Sequence, residues 1–537
     1  MTSPPGGARA TNATQICGSD KVSGSIVDAG KWRPEAVEML RFVGSRGPKA
    51  WGFMGGAAAI ALLCAGCPDS LTLEPVSSSS GPGGTGGSGG GTPAFCNSNP
   101  DCAAPKAVCD VVRHECVECL ELAHCSATMP GTVCSQGACV CPAASDTYCP
   151  GSKSCADVLT SVSNCGACGH ECYGACNEGK CADGWERTPM LGAPAPRASH
   201  VAVGTDTKMI VWGGVLQGNT PTSTGGVLDM TTGTWTKTSE SNVPPARSGA
   251  RAIWTGTQMV VWGGMVGATA VNTGGVYNPN TNTWTPMSTE GAPQARYGHT
   301  MVWAGAPISK VLVWGGHDSV TYFGDGFAYD VASNTWTTLS TAGTPPIGRM
   351  EHAAVWNGQR MLIWGGYGPN NLDNYLADGA EFDPSDAGVW TSLVVDGQPA
   401  PRTRPTAVWN EAGKEMIVWG GAGPGGPIPT GGRYEPATGL WKTMPSEGAP
   451  EARQYHTAIL SGGRFIVWGG VNGAGVPVNS GALYDPVNNK WKAMPTAPQA
   501  RANHTAVDVG GKMVIWGGSN SGNLVDTGGI FDPASAL

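Results

Sequence analysis

Apolar residues in this chain fall in short runs, not in helical stripes. In the C-terminal two thirds a hydrophobic triplet followed by Trp-Gly-Gly recurs seven times. Its tryptophans are Trp212, Trp262, Trp314, Trp364, Trp419, Trp468 and Trp516, spaced by 50, 52, 50, 55, 49 and 48 residues. Short apolar runs bounded by Gly, Pro, Asn and Asp are strand signals, and each copy parses into four strands. Strand a is apolar and follows an Arg, as in His352-Ala-Ala-Val-Trp356. Strand b is of the type Met361-Leu-Ile-Trp364 and stops at Gly365-Gly366. Strand c carries a large apolar or aromatic residue: Leu228, Tyr277, Tyr329, Phe382, Tyr434, Tyr484 or Phe531. Strand d carries a second tryptophan: Trp235, Trp284, Trp336, Trp390, Trp441 or Trp491. Segments between c and d, such as Asn278-Pro-Asn-Thr-Asn282, are hairpin-turn chemistry. They lack the ligand density and terminal Glu of a calcium loop.

A period near 50 with a Gly-Gly doublet and a later Trp resembles the kelch repeat, and the resemblance runs through residues 182–537. It implies an all-β, seven-bladed β-propeller. The last copy ends without a strand d, whereas Trp185 stands alone before the first strand a. We therefore expect Trp185 to supply the missing strand, so that both ends of this region share one sheet and hide edges that invite aggregation.

The N-terminal part follows other rules. Residues 1–38 have no apolar run and read as an extension or a mis-assigned start. Residues 39–67 read as a signal peptide, with Arg41, Arg46 and Lys49 before an apolar stretch from Trp51 to Leu63 that is too short to span a bilayer. The segment Leu62-Leu63-Cys64-Ala65-Gly66-Cys67 resembles a bacterial lipoprotein box, which implies lipidation at Cys67. Cys64 departs from the usual Leu or Val, and an ordinary signal peptide is the alternative. Residues 68–95 form a Ser/Gly-rich flexible linker.

Composition adds a second module. Sixteen of the 19 cysteines lie within residues 96–181; the others are Cys17, Cys64 and Cys67. In an exported segment poor in large apolar residues, an even number reads as a disulfide framework of eight bridges. The pairs Cys116/Cys119 and Cys165/Cys168 have zinc-type spacing, but the cysteines recur too densely for isolated four-ligand sites. Cys149 to Cys181, with Asn164-Cys165-Gly166-Ala167-Cys168-Gly169, resembles the repeats of the stigma-specific protein family, which implies an extracellular module. With 82 Gly, 41 Pro and only 13% charged residues, the chain is not helical. A net charge of −8 offers no basic surface for nucleic acid.

Candidate chemistry concentrates on one face of the propeller, where b–c loops and blade-to-blade links meet. Two b–c loops differ from their bland counterparts. One contains His317, Asp318, Tyr322 and Asp325; the other contains Tyr367, Asn370, Asn371, Asp373 and Tyr375. Aromatic faces beside amides and carboxylates suit a peptide or sugar, although such loops also pack over neighbouring blades. Arg recurs before every strand a, at Arg197, Arg247, Arg296, Arg349, Arg402, Arg453 and Arg501. Seven guanidinium groups at a channel mouth would attract an anion, but strict repetition favours a structural task, such as bonding carbonyls or carboxylates of the adjacent blade. Five are followed three residues later by His200, His299, His352, His456 or His504. Seven radial positions lie too far apart for one metal ion, so neither a metal nor a cofactor is expected.

Kelch-type copper radical oxidases resembling galactose oxidase need a Tyr–Cys cofactor, and no cysteine follows Cys181. Within the repeats there is no sialidase box and no Gly-x-Ser-x-Gly elbow. The resulting expectation is an envelope-anchored or secreted binding protein for a protein or glycan. The alternative is an extracytoplasmic carbohydrate-active enzyme of sugar epimerase or lyase type on the same scaffold.

Overall fold

A computed structural model describes residues 108–535, apart from 111–114, 118–124, 126–128, 131, 136–137, 144–145, 151, 370–373, 386–387 and 395. The proposed extension, signal peptide, Cys67 and linker lie outside the described residues.

From residue 185 onward the strands form seven four-stranded antiparallel sheets. Blade 1 comprises strand a (Val201–Gly204), b (Lys208–Trp212), c (Gly225–Asp229) and d (Thr234–Lys237). Strands a of blades 2 to 6 are Arg251–Trp254, Thr300–Ala304, Ala353–Trp356, Thr406–Asn410 and Thr457–Ser461. Blade 7 contains Thr505–Val509, Lys512–Trp516 and Gly528–Phe531, and its strand d is Trp185–Arg187. Trp185 pairs with Phe531, as the unpaired tryptophan in the sequence required.

Burial explains the sequence phrase. Strand b is buried along its length, as in Met361–Trp364, because adjacent sheets cover both of its faces. Strand d buries only its Trp, with exposed residues on either side, as in Thr335–Thr338. The strand-b Trp of each blade meets the strand-d Trp of the next: Trp212 with Trp284, Trp262 with Trp336, Trp314 with Trp390, Trp364 with Trp441, and Trp419 with Trp491, at centroid separations of 5.4–5.9 Å. Trp468 meets Trp185 at 5.7 Å, and Trp516 meets Trp235 at 4.8 Å, which completes the circle. Each such ring buries on the order of 200 Å² of largely apolar surface, about 5 kcal/mol of gross transfer energy.

The Gly-Gly doublet has a conformational reason. Both glycines adopt positive φ in every blade, for example Gly315 at 68° and Gly316 at 103°. The second donates its N–H to the carbonyl of the next blade's arginine, as Gly316 does to Arg349 at 2.8 Å. In the five blades followed by a belt histidine the first also has no room for a Cβ: at Gly315 one would lie 2.7 Å from the His352 ring of the next blade.

The turns between c and d use their polar side chains locally. Asp330 Oδ1 accepts from the N–H groups of Ala332 and Ser333, and Asp229 from those of Thr231 and Thr232. Those oxygens serve the hairpin, in keeping with turn chemistry.

In the N-terminal module, short two-stranded hairpins are stapled by Cys125–Cys139, Cys141–Cys155, Cys149–Cys168, Cys165–Cys176 and Cys172–Cys181. Cys165 and Cys168 therefore bond to different partners and do not act as a zinc-type pair. Buried Cys165, Cys172 and Cys176, with Cys181 beside them, form the module's own small core.

Candidate functional site

The seven arginines form a belt, each at most 1% exposed. Arg402 donates from Nε to the Ala400 carbonyl, from Nη1 to the carbonyls of Gly420 and Thr430, and from Nη2 to the Thr430 hydroxyl. Arg197, Arg247, Arg453 and Arg501 repeat this pattern. The carbonyls and hydroxyls belong to the arginine's own blade, not the adjacent one as expected. Cross-blade bonding comes from its main-chain oxygen. Each belt arginine thus holds the b–c connection of one blade with its side chain and the Gly-Gly turn of the preceding blade with its backbone. Burial lowers Arg197, Arg247, Arg402, Arg453 and Arg501 to about 10, which leaves them charged at neutral pH.

Blades 3 and 4 depart from that pattern. Where the other blades have Thr or Ser, they have Asp325 and Asp378, which pair with Arg296 at 2.7 Å and Arg349 at 2.8 Å. Asp325 thus neutralises a belt arginine, with its carboxylate still 46% exposed toward the loop face.

The histidines lock neighbouring blades. His200, His352, His456 and His504 share Nε2 hydrogen bonds of 2.7–2.9 Å with Thr505, Thr300, Thr406 and Thr457 of the preceding blade. Burial, reinforced by a nearby arginine, pushes His200 and His456 down to about 3 and holds His299, His352 and His504 well below the ordinary value. They are neutral packing groups. The threonine that His299 would meet is replaced by Arg251, whose Nε donates to the His299 carbonyl at 2.8 Å.

The loop aromatics come together. His317 and Tyr322 face each other across one b–c hairpin with centroids 4.3 Å apart, and Tyr367 and Tyr375 across the next at 5.3 Å. Tyr322 lies 6.1 Å from Tyr367, and the Tyr297 hydroxyl is 3.1 Å from His317 Nδ1. The result is a continuous aromatic ridge over blades 3 and 4. Burial raises Tyr322 above its ordinary value, with the Tyr367 and Tyr297 phenols adding to the shift. Burial lowers His317 against the opposing pull of Asp318. Asp318 is committed to its own turn through the N–H groups of Val320 and Thr321. Asn370, Asn371 and Asp373 lie outside the described residues.

The feature that sequence reasoning missed lies two residues after each belt arginine. There Ser199, Gly249, Gly298, Glu351, Arg404, Tyr455 and Asn503 encircle the channel mouth, all at φ between 53° and 66°. The conformation has a cause: the N–H of Arg404 donates to the carbonyl of Glu351 at 2.9 Å, that of Glu351 to Gly298 at 2.7 Å, and that of Ser199 to Asn503 at 3.0 Å. Blade is thereby linked to blade around the mouth. A left-handed backbone costs a non-glycine residue about 1–2 kcal/mol. Five blades carry a side chain there despite that cost.

Those side chains line a funnel of about 450 Å³. One wall is chemically rich. Glu351 Oε2 takes Arg404 Nη2 at 2.9 Å and the Thr403 hydroxyl at 3.1 Å, and the Arg404 guanidinium lies 4.6 Å from the centre of the Tyr455 ring. The opposite wall, Ser199, Gly249 and Gly298, is small. Arg251 stands in the lumen, surrounded by protein yet open to channel water; this enclosure lowers it from its ordinary value, while Glu351 pulls the other way. The sequence signal for this ring was variation: aligned on the arginine, the second position holds six residue types in seven copies.

Comparison with known proteins agrees with this architecture. The KLHDC2/KLHL20/DRC7 Kelch-repeats domain model matches residues 182–308, 272–424 and 411–536. Human Kelch domain-containing protein 3 is 31% identical over 173 residues, 30% of this chain and 44% of that protein. Serine/threonine-protein phosphatase BSL2 of Arabidopsis thaliana is 39% identical over 82 residues, 14% of this chain and 8% of that protein. The flagellar outer-arm dynein alpha chain of Chlamydomonas reinhardtii is 31% identical over 141 residues, 25% of this chain and 3% of that protein. The chain spans less than half the length of each of these relatives. Repeat phrase, seven-bladed ring and family model converge: the chain belongs to the KLHDC2/KLHL20/DRC7 Kelch-repeats domain family.

Proposed function

We propose that the protein is an envelope-anchored or secreted binding protein whose channel face recognises a segment of a partner protein. Kelch-repeat propellers are protein-binding scaffolds, and residues 39–67 read as a lipoprotein-type signal peptide with Cys67 as its anchor point. The observation that carries the reading is the ring of left-handed residues at the channel mouth. Glu351, Arg404 and Tyr455 occupy backbone positions that favour glycine, and they leave one wall of the funnel charged and aromatic.

The partner segment lies across the aromatic ridge of blades 3 and 4 and enters the funnel. The ridge supplies Tyr322, Tyr367 and Tyr375. Exposed Val320 and Ile347 stand beside it, at 86% and 49% exposure, and add apolar contact. Within the funnel Arg251 and Arg404 face Glu351, an excess of one positive charge that suits a segment with an acidic or hydrogen-bond-accepting group.

A photo-crosslinking residue placed in the full-length chain at Tyr455 or Tyr367, and at Leu440 in strand d of blade 5 as a control, tests the assignment. We expect one protein adduct common to Tyr455 and Tyr367 and none at Leu440. Adducts from Leu440 alone would rule out the channel face. Saturable binding on a glycan array, lost in Tyr367→Ala and Tyr375→Ala, would replace the protein partner with a sugar.

A further inference from the structure

We propose that the cysteine-rich module is the lock of the propeller: Glu171–Tyr173 forms a short outermost strand on blade 7, and disulfides hold it against the closing strand. The closing strand is the weakest joint of the ring. In the other six blades strand d follows strand c through a tight turn. Trp185–Arg187 has only three paired residues, and its pairing with Gly529–Phe531 closes a loop of residues 188–528. Such a closure carries a larger entropy cost than a hairpin turn.

The module meets that joint on its free edge. Tyr173 donates its N–H to the Trp185 carbonyl at 3.1 Å, and Arg187 donates to the Glu171 carbonyl at 2.7 Å, with Cys172 opposite Glu186. These bonds occupy the edge that faces away from strand c. The Tyr173 hydroxyl reaches past the closing strand to the Gly528 carbonyl on strand c at 2.8 Å, and its ring packs against the core shared by blades 6 and 7. The Arg187 guanidinium lies 4.5 Å from the centre of that ring. Glu186 bridges the two parts, with His170 of the module at 2.8 Å and Lys512 of strand b at 3.3 Å.

Disulfides fix the geometry. Cys172, in the middle of the added strand, is bonded to Cys181, four residues before Trp185, and Cys165–Cys176 brackets the added strand itself. The added strand and the closing strand are therefore two arms of one stapled hairpin, and separating them requires the staple to give. The module then has a task apart from spacing: it keeps the closing strand seated.

Backbone hydrogen exchange on the full-length chain tests this, read at residues 185–187 and 528–531 with Val311–Val313 of blade 3 as internal reference. In Cys172→Ser/Cys181→Ser, exchange at the closing strand is expected to rise by about tenfold or more while blade 3 is unchanged. Tyr173→Phe removes the hydroxyl with its bond to Gly528 while keeping the ring, and should give a rise of about twofold at the same segment. Should the double serine variant not accumulate, folded wild-type protein reduced with a phosphine is read in its place. Wild-type exchange at the closing strand, an equal rise in blade 3, or the same rise from Cys141→Ser/Cys155→Ser would overturn the proposal.

Discussion

In every blade an arginine precedes the innermost strand, and two residues later the chain takes a left-handed step onto the channel mouth. The first position is chemically identical seven times, fully buried and saturated with hydrogen bonds to its own blade. The second has an almost identical backbone seven times, yet its side chain runs from glycine to tyrosine. Repeated chemistry on a repeated backbone is how a ring of equal sheets is held together. Divergent chemistry on a repeated backbone, at positions that favour glycine, marks where the ring does something other than fold. Blades 3 and 4 extend the lesson: they alone exchange the hydroxyl partner of the belt for Asp325 and Asp378, and they alone bear the aromatic ridge.

The largest expected effect separates the two rings. Arg402→Ala strips the guanidinium donors from the carbonyls of Ala400 and Gly420, leaves that of Thr430 with the Gly420 N–H alone, and opens a void, so a loss of about 3–4 kcal/mol is expected in denaturant unfolding. Arg404→Ala, two residues on, removes a partly exposed ion pair and a ring contact, worth about 1 kcal/mol. Equal losses would dissolve the distinction.

Acid reads the buried histidines. Their folded-state pKa values lie below the unfolded 6.5, so the unfolded chain takes up more protons as pH drops. Their contribution is complete above 6.5 and is lost as pH falls from there toward 3. Each buried histidine contributes up to about 1.4 kcal/mol per pH unit to that slope, measurable as a steep fall in unfolding free energy between pH 6.5 and 5. His352→Gln should flatten it.

Binding reads the outer ring. Tyr455→Ala is expected to weaken partner affinity by about 30-fold, the size of an interface hot spot, with stability near wild type; titration calorimetry against the crosslinked partner measures it. A smaller effect of opposite sign comes from Ser199→Gly, which relieves a left-handed backbone and should raise stability by about 0.5–1 kcal/mol.

The smallest effect concerns the module. Glu186 raises His170 above its ordinary value, against burial and Lys512, while His170 and Lys512 hold Glu186 below its own against burial. Around the pair lie Glu171, Arg187, Lys180 and Asp532. A raised histidine contributes fully below 6.5 and loses its contribution as pH rises through the folded value; a lowered glutamate contributes above 4.5. Protection of residues 185–187 relative to blade 3 should therefore be greatest between about pH 5 and 6.5 and decline modestly toward pH 8, opposite in direction to the buried histidines. His170→Gln should remove the trend.

The sequence by itself determined the number of blades, the four strands of each, the turns between c and d, and the participation of Trp185 in the last sheet. These depend on local signals: apolar runs, paired glycines and a tryptophan count that comes out one short at one end and one over at the other. It also marked His317, Tyr322, Tyr367 and Tyr375 as unusual loop residues, and the structure joins them in one ridge.

Tertiary structure decided where the arginines spend most of their hydrogen bonds: apart from the Nε bond to the carbonyl two residues back, their partners lie 16 to 29 residues away and only folding selects among many carbonyls. It decided that Asp318 serves its own turn and Asp325 the belt, although both look alike as loop carboxylates. Above all it decided that Ser199, Glu351, Arg404, Tyr455 and Asn503 meet at one opening. Along the chain they lie about 50 to 150 residues apart, and a ring closes such distances because its axis brings the same position of every blade together.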